Sequence, residues 1–142
     1  MKKLLVLVGV LFLLAGCADK TSVISCSRAE NNTEVTFNIT YNDSKKVATT
    51  GETQMKLDFS NQTDEQFNVI KSQDFCSMIL TNLNKSNNAY SNCRSTINGK
   101  VIQLTFDLDL TKVEADENDS FKVNMSKDEI ITYFKNQSYT CK

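Results

Sequence analysis

The chain has 142 residues, 16 of them Lys or Arg and 17 Asp or Glu, a formal charge of -1, and no His, Trp or Pro. The lack of His removes the commonest general base near neutral pH and the commonest transition-metal ligand, which argues against triad hydrolases and zinc enzymes. A weakly acidic chain without a basic block also binds nucleic acid poorly, so we expect no nucleic-acid partner. We expect no cofactor either.

The N-terminal segment has the form of a secretory signal. Lys2 and Lys3 precede an apolar run, Leu4–Leu14, about half of the ~20 residues that a membrane-spanning helix needs. The run leads into Leu-Ala-Gly-Cys, residues 14–17, which resembles the lipobox of bacterial lipoproteins. The resemblance implies cleavage between Gly16 and Cys17 and a diacylglyceryl group on the Cys17 thiol. An ordinary soluble secretory signal and an uncleaved anchor are the alternatives.

The lipobox defines three segments: a signal peptide over 1–16, a lipidated tether over 17–21 and one domain over 22–142. Loss of Lys2 and Lys3 leaves the mature chain with three more acidic than basic residues. Two acyl chains hold a protein firmly at a membrane, whereas one holds it only marginally. We expect a monomer on the outer face of the bacterial cytoplasmic membrane, attached to it through the lipid on Cys17.

The domain is predicted to begin with three strands, because apolar and polar residues there alternate with the period of a half-buried strand. They cover Ser22–Ala29, Thr33–Tyr41 and Lys46–Phe59, and turns at 30–32 and 42–44 connect them into an antiparallel meander. The inward residues of the third strand are predicted to be Val47, Thr49, Met55, Leu57 and Phe59. Gly51 has the same parity and indicates a bulge or a bend.

Helical periodicity follows. Thr63 and Gln66 form a capping box that begins a helix over about Asp64–Asn84. Tyr90–Ile97 returns to strand, and Asn98-Gly99 predicts a hairpin into a strand whose inward residues run from Ile102 to Leu110.

A second capping box, Ser126 with Glu129, begins a short helix, and Tyr139–Cys141 is extended. The prediction is therefore an α+β fold: a predominantly antiparallel sheet of five or six strands, built as a meander plus a hairpin, with two helices on one face.

The mature chain resembles a known family over essentially its whole length. Two short motifs carry this resemblance, Gln73-Asp74-Phe75-Cys76 and Gln137-Ser138-Tyr139-Thr140-Cys141. With the lipobox and the order of elements, the chain resembles the YehR-like lipoproteins, small bacterial lipoproteins whose domain has no assigned function. Related sequences more often have Gly where Ser138 stands. The resemblance implies an α+β fold and a lipid anchor, and it supplies no catalytic residue.

Four cysteines remain after Cys17, namely Cys26, Cys76, Cys93 and Cys141. An even number in an exported domain indicates disulfides, with three possible pairings. The spacings contain no C-x-x-C and no His partner, which disfavours a metal site or a redox-active dithiol. We favour Cys26–Cys141, which joins the two chain ends, and Cys76–Cys93, which attaches the long helix to the following strand.

Carboxylates supply two weaker candidates. The acidic stretch 114–119 has oxygen ligands but lacks the spacing and central Gly of a known calcium loop, so we interpret it as a solvated loop. Asp107 and Asp109 share one strand face, where carboxylates usually keep an exposed sheet soluble. Paired carboxylates facing each other across a cleft can act in a glycosidase.

Tyr41, Tyr90, Tyr133 and Tyr139 are scattered in the sequence, and we interpret each as core packing or a half-exposed ring. Together these features predict a membrane-anchored extracytoplasmic module that binds a ligand or a partner and is not an enzyme. A cell-envelope hydrolase using Asp107 and Asp109 is the alternative.

Overall fold

The computed structural model of the protein describes residues 19–84, 88–113 and 121–142. The described residues form six strands, three α-helices and one short 3-10 turn at Leu110–Lys112. In chain order the elements are β1 (Thr21–Glu30), β2 (Thr33–Asn42), β3 (Val47–Asp58), α1 (Asp64–Ile70), α2 (Phe75–Leu83), β4 (Tyr90–Asn98), β5 (Val101–Asp109), α3 (Lys127–Asn136) and β6 (Thr140–Cys141).

The strands form one antiparallel sheet in the order β4-β5-β3-β2-β1-β6. Strands β1 to β3 are the predicted meander, and β4 and β5 are the predicted hairpin, which joins the sheet through β5 beside β3. The predicted α+β fold with five or six strands is confirmed. Because β6 pairs with β1, the two ends of the domain lie side by side at one edge.

The long helix predicted over about Asp64–Asn84 is wrong, because the segment forms two helices. The Lys71 amide donates to the Phe67 carbonyl at the end of α1. Asp74 then caps α2, its side chain accepting from the Ser77 amide at 3.0 Å. An N-cap residue has non-helical backbone angles, so the cap at Asp74 requires a break there.

Both predicted capping boxes are confirmed. The Gln66 backbone amide donates to the Thr63 hydroxyl, while the Gln66 side-chain oxygen accepts from the Thr63 backbone amide at 2.9 Å. Ser126 and Glu129 make the same reciprocal pair at the start of α3, where the Ser126 amide donates to the Glu129 carboxylate at 2.7 Å.

One residue of β3 has no partner on β2, and this changes the predicted inward face. Tyr41 pairs with Ala48 and Thr40 with Thr50, so Thr49 is an extra residue, a β-bulge. Ala48 is therefore buried, and the prediction that Val47 and Thr49 share the inward parity is wrong. Gly51 lies two residues beyond the bulge, where a Cβ would come within 2.9 Å of the Asn38 carbonyl oxygen.

A second bulge lies in β4. Ser91 pairs with Asp107 and Arg94 with Thr105, so Asn92 and Cys93 together oppose one residue of β5. Asn92 has a φ of 50°, in the left-handed region that Asn tolerates better than most residues. Its side chain donates to Asp107 on one face of the sheet, while Cys93 bonds to α2 on the other. Because of the extra residue, Tyr90 and Cys93 lie on the same face of the sheet, the one that the helices cover.

The helices cover one face of the sheet in two groups. Helix α3 packs over β1 and β2 in the α3 cluster, whose buried members include Ile24, Ile39, Ile130 and Phe134. Helices α1 and α2 cover β5 and β3 in the α1–α2 cluster, built on Phe67, Ile102, Leu104 and Phe106. Tyr90 packs against both clusters and marks where they meet. We call this boundary between the two clusters, marked by Tyr90, the seam.

Two disulfides connect the layers and the chain ends, and they are the two pairs favoured from the sequence. Cys26 and Cys141 are register partners on β1 and β6, with 4.0 Å between their Cα atoms. Ser25 and Lys142 exchange backbone hydrogen bonds beside them. Cys26 and Cys141 are thus a non-hydrogen-bonded pair, where facing side chains come closest. Cys76–Cys93 joins α2 to β4.

Helix α3 ends in a Schellman motif. The Ser138 amide donates to the Lys135 carbonyl and the Tyr139 amide to the Phe134 carbonyl, both at 3.0 Å. The rings of Phe134 and Tyr139 complete the motif, with centroids 5.5 Å apart. Ser138 has a φ of 66°, in the left-handed region, which explains physically why Gly suits this position.

Ser138→Gly should raise the free energy of unfolding by about 1 kcal/mol, because Gly adopts the left-handed conformation without the steric cost of a Cβ. Urea unfolding measures the change. Ser138→Ala is the matched control and should give no such gain. A Gly variant no more stable than the Ala variant would contradict this explanation of the turn.

Removing the Cys26–Cys141 bond should destabilise the domain more than removing Cys76–Cys93, because the bonded residues are 115 and 17 positions apart. Loop-closure entropy gives about 4.7 kcal/mol for a loop near 100 residues and about 3 kcal/mol for one near 15. Paired Cys→Ala variants, compared by urea unfolding, test the order. Non-reducing proteolysis with mass spectrometry checks the pairing, and a peptide linking Cys26 to Cys76 or Cys93 would refute it.

Candidate functional site

One row of side chains crosses the helix-bearing face of the sheet, because the register aligns one residue from each strand. From the β6 edge to β5 the row contains Cys141, Cys26, Phe37, Thr53 and Phe106. The bulge at Asn92 and Cys93 continues it on β4. A disulfide therefore lies at each end of the row, and Thr53 lies in the middle.

Thr53 differs from the other members of this row because it carries a hydroxyl group. It is 3% exposed, and its hydroxyl has no hydrogen-bond partner among the described residues. Most buried side-chain polar groups in proteins do have such a partner, and leaving one unpaired costs about 1–3 kcal/mol. Thr53 therefore needs an explanation that packing does not provide.

Aromatic residues flank Thr53 on the two neighbouring strands. Its two register neighbours are Phe37 and Phe106. Tyr139 lies edge-on to Phe37 at 5.5 Å, and Tyr90 lies edge-on to Phe106 at 6.5 Å, both measured between ring centroids. We call Thr53 and these four rings the Thr53 site. Phe37, Tyr90 and Tyr139 are half-buried.

Three tyrosines of this region, Tyr90, Tyr133 and Tyr139, pack against the α3 cluster. Burial raises the pKa of Tyr90 above its ordinary value of 10.0, and the neighbouring Tyr139 and Tyr133 raise this pKa further. Each of these three rings packs on the core, as predicted. No pattern in the sequence relates them, since they belong to β4, α3 and the turn after α3.

The opposite face of the sheet is polar and open. Arg94 on β4 reaches two carboxylates there, Asp107 at 3.0 Å and Glu52 at 3.6 Å. Shallow depressions of about 100 and 280 Å³ lie on this face, both bordered by Lys56 and Gln103. Neither has an aromatic or metal-binding lining.

Asp107 and Asp109 lie on the open face, as predicted, and each is engaged locally. Hydrogen bonds from Asn92 and then Arg94 lower the pKa of Asp107. Hydrogen bonds from Thr111, with Lys112 nearby, lower the pKa of Asp109. A carboxylate pair in a glycosidase needs one member with a raised pKa to act as the acid. Both shifts are downward, the opposite of what the acid of such a pair needs.

Several sequence predictions lie outside the described residues. These are Gly16 and Cys17, at the predicted cleavage and lipidation site, and the acidic stretch 114–119. Within the ranges that the structure describes, no three His, Cys, Asp or Glu side chains are grouped so that they could hold a metal ion. In the same ranges, no helix combines the length and apolar character required to cross a bilayer.

Comparison with solved structures relates the fold to one known protein. The NMR structure of the E. coli YehR protein is similar to this chain, with a TM-score of 0.60 at 15% sequence identity. The match covers 88% of this chain and 93% of the other. No family model matches the chain, and no curated protein does. The chain therefore has a YehR-like fold.

Thr53→Val should stabilise the protein by about 1–3 kcal/mol, since it removes an unpaired buried hydroxyl and nearly preserves side-chain shape. Thr50→Val, on the exposed face of the same strand, is the control and should change stability by about 0.5 kcal/mol or less. Urea unfolding measures both. A destabilised Thr53→Val variant would show that the hydroxyl has a structural hydrogen bond.

The raised pKa of Tyr90 predicts a loss of stability at alkaline pH. The unfolded side chain ionises near 10.0 and the folded one at a higher pH, so the stabilisation is complete below pH 10.0 and is lost as the pH rises through the folded pKa. Tyr90→Phe should reduce this loss. Unfolding measured from pH 9 upward tests it, and an unchanged pH dependence in the variant would contradict the burial of Tyr90.

Proposed function

We propose that the protein is an extracytoplasmic binding module, held by lipid on Cys17 at the outer face of the bacterial cytoplasmic membrane. The Thr53 site carries the binding part of the proposal. A buried hydroxyl without a partner among the described residues reduces stability, and a bound molecule that pairs with it is one way to offset that cost. Ligand sites commonly combine aromatic walls with a few convergent polar groups, and this is the composition of the Thr53 site.

The two disulfides support the location. Disulfides persist in oxidising compartments and are rare in the bacterial cytosol. Cys26–Cys141 and Cys76–Cys93 therefore agree with the export that Lys2, Lys3 and the apolar run predict.

The contacts of Asp19 support the proposal that the domain lies close to the membrane. Asp19 accepts hydrogen bonds from Lys45 at 2.7 Å and from Asn42 at 3.1 Å, so it is fixed to the turn between β2 and β3. Hydrogen bonds and the Lys45 cation lower the pKa of Asp19, which keeps the pair charged at neutral pH. Only Ala18 separates Asp19 from Cys17. Two residues span about 7 Å, so a lipid on Cys17 would hold this end of the sheet against the bilayer.

Lipidation is tested by labelling cells with a clickable fatty acid. The wild-type protein should be labelled, and Cys17→Ala should not, because the proposal places the acyl chains on that residue. Cys26→Ala is a matched control that should keep its label. A labelled Cys17→Ala variant, or an unlabelled wild-type protein, would contradict the anchor.

Binding is tested with the oxidised chain from residue 17 onward carrying Cys17→Ser, screened for thermal stabilisation against a panel of charged and neutral small molecules. A ligand that binds the native state raises its apparent stability by mass action. The proposal predicts at least one ligand whose effect is weakened by Thr53→Val. A panel in which no compound stabilises the protein would contradict the binding function.

A further inference from the structure

We propose that Cys76–Cys93 is a site of thiol–disulfide exchange, and that a dithiol reductant acting there releases α2 from the sheet. The inference concerns a modification of the domain, and it stands independently of the Thr53 site. It differs from a redox catalyst, which the cysteine spacing disfavours, because this disulfide is the substrate of the exchange. Three features support it: the access to the sulfurs, the attachment of α2 and the apolar surface beneath that helix.

The two disulfides differ in how far solvent reaches their cysteines. Cys76 and Cys93 are both half-buried. Cys26, by contrast, is 0% exposed, and its partner Cys141 is half-buried. The rate of exchange depends on the access of a thiolate to one of the two sulfurs. A reductant therefore reaches Cys76–Cys93 from either partner, whereas it reaches the other disulfide only from Cys141.

The exchange needs no reactant other than the dithiol. One thiolate of the dithiol attacks a sulfur of Cys76–Cys93, so that a mixed disulfide forms and the other cysteine leaves as a thiolate, which is then protonated. The second thiol of the reductant loses its proton, attacks the mixed disulfide and releases the remaining cysteine. The disulfide thus gains two electrons and two protons, and the dithiol supplies both as it is oxidised to a disulfide.

Helix α2 depends on this disulfide for its place on the sheet. Its nine residues, Phe75–Leu83, are all half-buried or exposed, whereas α1 and α3 both have buried residues. Isolated helices shorter than about 12–15 residues are marginal in water. Cys76 attaches the first turn covalently. Directly after the last turn, the Asn84 side chain donates to the carbonyl of Tyr90, at the seam, at 2.8 Å and accepts from its amide at 3.0 Å. Breaking the disulfide therefore frees the first turns of α2 and leaves its far end attached.

The size of the effect follows from the loop that the disulfide closes. While the bond is intact, a detached α2 would still be tied to β4 through that loop. The bonded residues are 17 positions apart. Closing a loop of this size corresponds to a factor of about 100 in an equilibrium constant. Reduction should therefore raise the population of states with a detached α2 by about 100-fold.

Release of α2 uncovers apolar side chains on β5. Phe75, Ile79 and Leu80 of α2 pack against the α1–α2 cluster. Ile102 and Phe106, two β5 members of that cluster, are 0% exposed. The α3 cluster is built from other elements, so it keeps its packing when α2 leaves. The reduced domain therefore presents an apolar surface that the oxidised domain covers.

Selective reduction is tested with dithiothreitol, a small dithiol, on the oxidised chain from residue 17 carrying Cys17→Ser. Cysteines freed after increasing times are trapped with a maleimide and identified by mass spectrometry. Cys76 and Cys93 should be trapped about 10-fold faster than Cys26 and Cys141, because a thiolate reaches both of their sulfurs. Equal rates for the two disulfides, or earlier reduction of Cys26–Cys141, would overturn the exchange site.

Release of α2 is tested by amide hydrogen exchange in the paired variant Cys76→Ala/Cys93→Ala, with Cys26→Ala/Cys141→Ala as the matched control. The protection of α2 amides should fall about 100-fold in the first variant and stay as in the oxidised protein in the control. This exchange should depend only weakly on urea, as local opening does, whereas exchange in β2 depends on it strongly.

The release is overturned if α2 keeps its protection in the first variant, if both variants lose it equally, or if α2 exchanges with the rate and urea dependence of β2. The selectively reduced wild-type chain supplies the same measurement if a variant does not fold. A ligand that stabilises the oxidised protein through Thr53 would leave this result unchanged, so failure of the release and failure of the binding function are separate outcomes.

Discussion

The register of the antiparallel sheet is the constraint on which the rest of the structure depends. Successive residues of a strand point to opposite faces, so pairing Cys26 with Phe37, Phe37 with Thr53 and Thr53 with Phe106 decides which strand residues face the helices, up to the bulges at Thr49 and Asn92. A shift of one residue would move the hydrophobic side chains to the open face. The cysteine pair on β1 and β6 fixes one end of this register covalently.

The helical layer is divided as a consequence of the chain order. Helices α1 and α2 lie between β3 and β4 in the sequence and cover the β5 side, whereas α3 follows β5 and covers the β1 side. The α3 cluster nevertheless extends past β3 to Leu108 on β5. Thr53 in the middle of β3 lies between Phe37, which packs on the α3 cluster, and Phe106 of the α1–α2 cluster.

Much of the fold could be predicted from the sequence because its signals are local. Alternation in β2 and β5, both capping boxes and the Asn98-Gly99 turn each depend on neighbours within a few residues. Gly99 has a φ of 58°, as its place in the turn requires. The cysteine pairs could be favoured because a bond between the chain ends restricts the unfolded chain most.

The errors arose where a single residue interrupts a period. Thr49 shifts the parity of β3, and no composition signal distinguishes a Thr in a bulge from a Thr in a strand. Asp74 breaks the long helix by capping its second half, although the apolar residues on both sides keep helical spacing. The Thr53 site was not predicted, because it joins residues from four strands and a terminal turn that only the tertiary structure brings together.

The central claim is that the Thr53 hydroxyl serves a molecule from outside the fold. A crystal structure of the oxidised domain at atomic resolution measures this most directly, because it identifies every atom within hydrogen-bond distance of Thr53 Oγ1. The account predicts no protein acceptor at that distance, so that the hydroxyl is left to pair with a bound small molecule. A main-chain or side-chain oxygen of the protein accepting from Thr53 would contradict it.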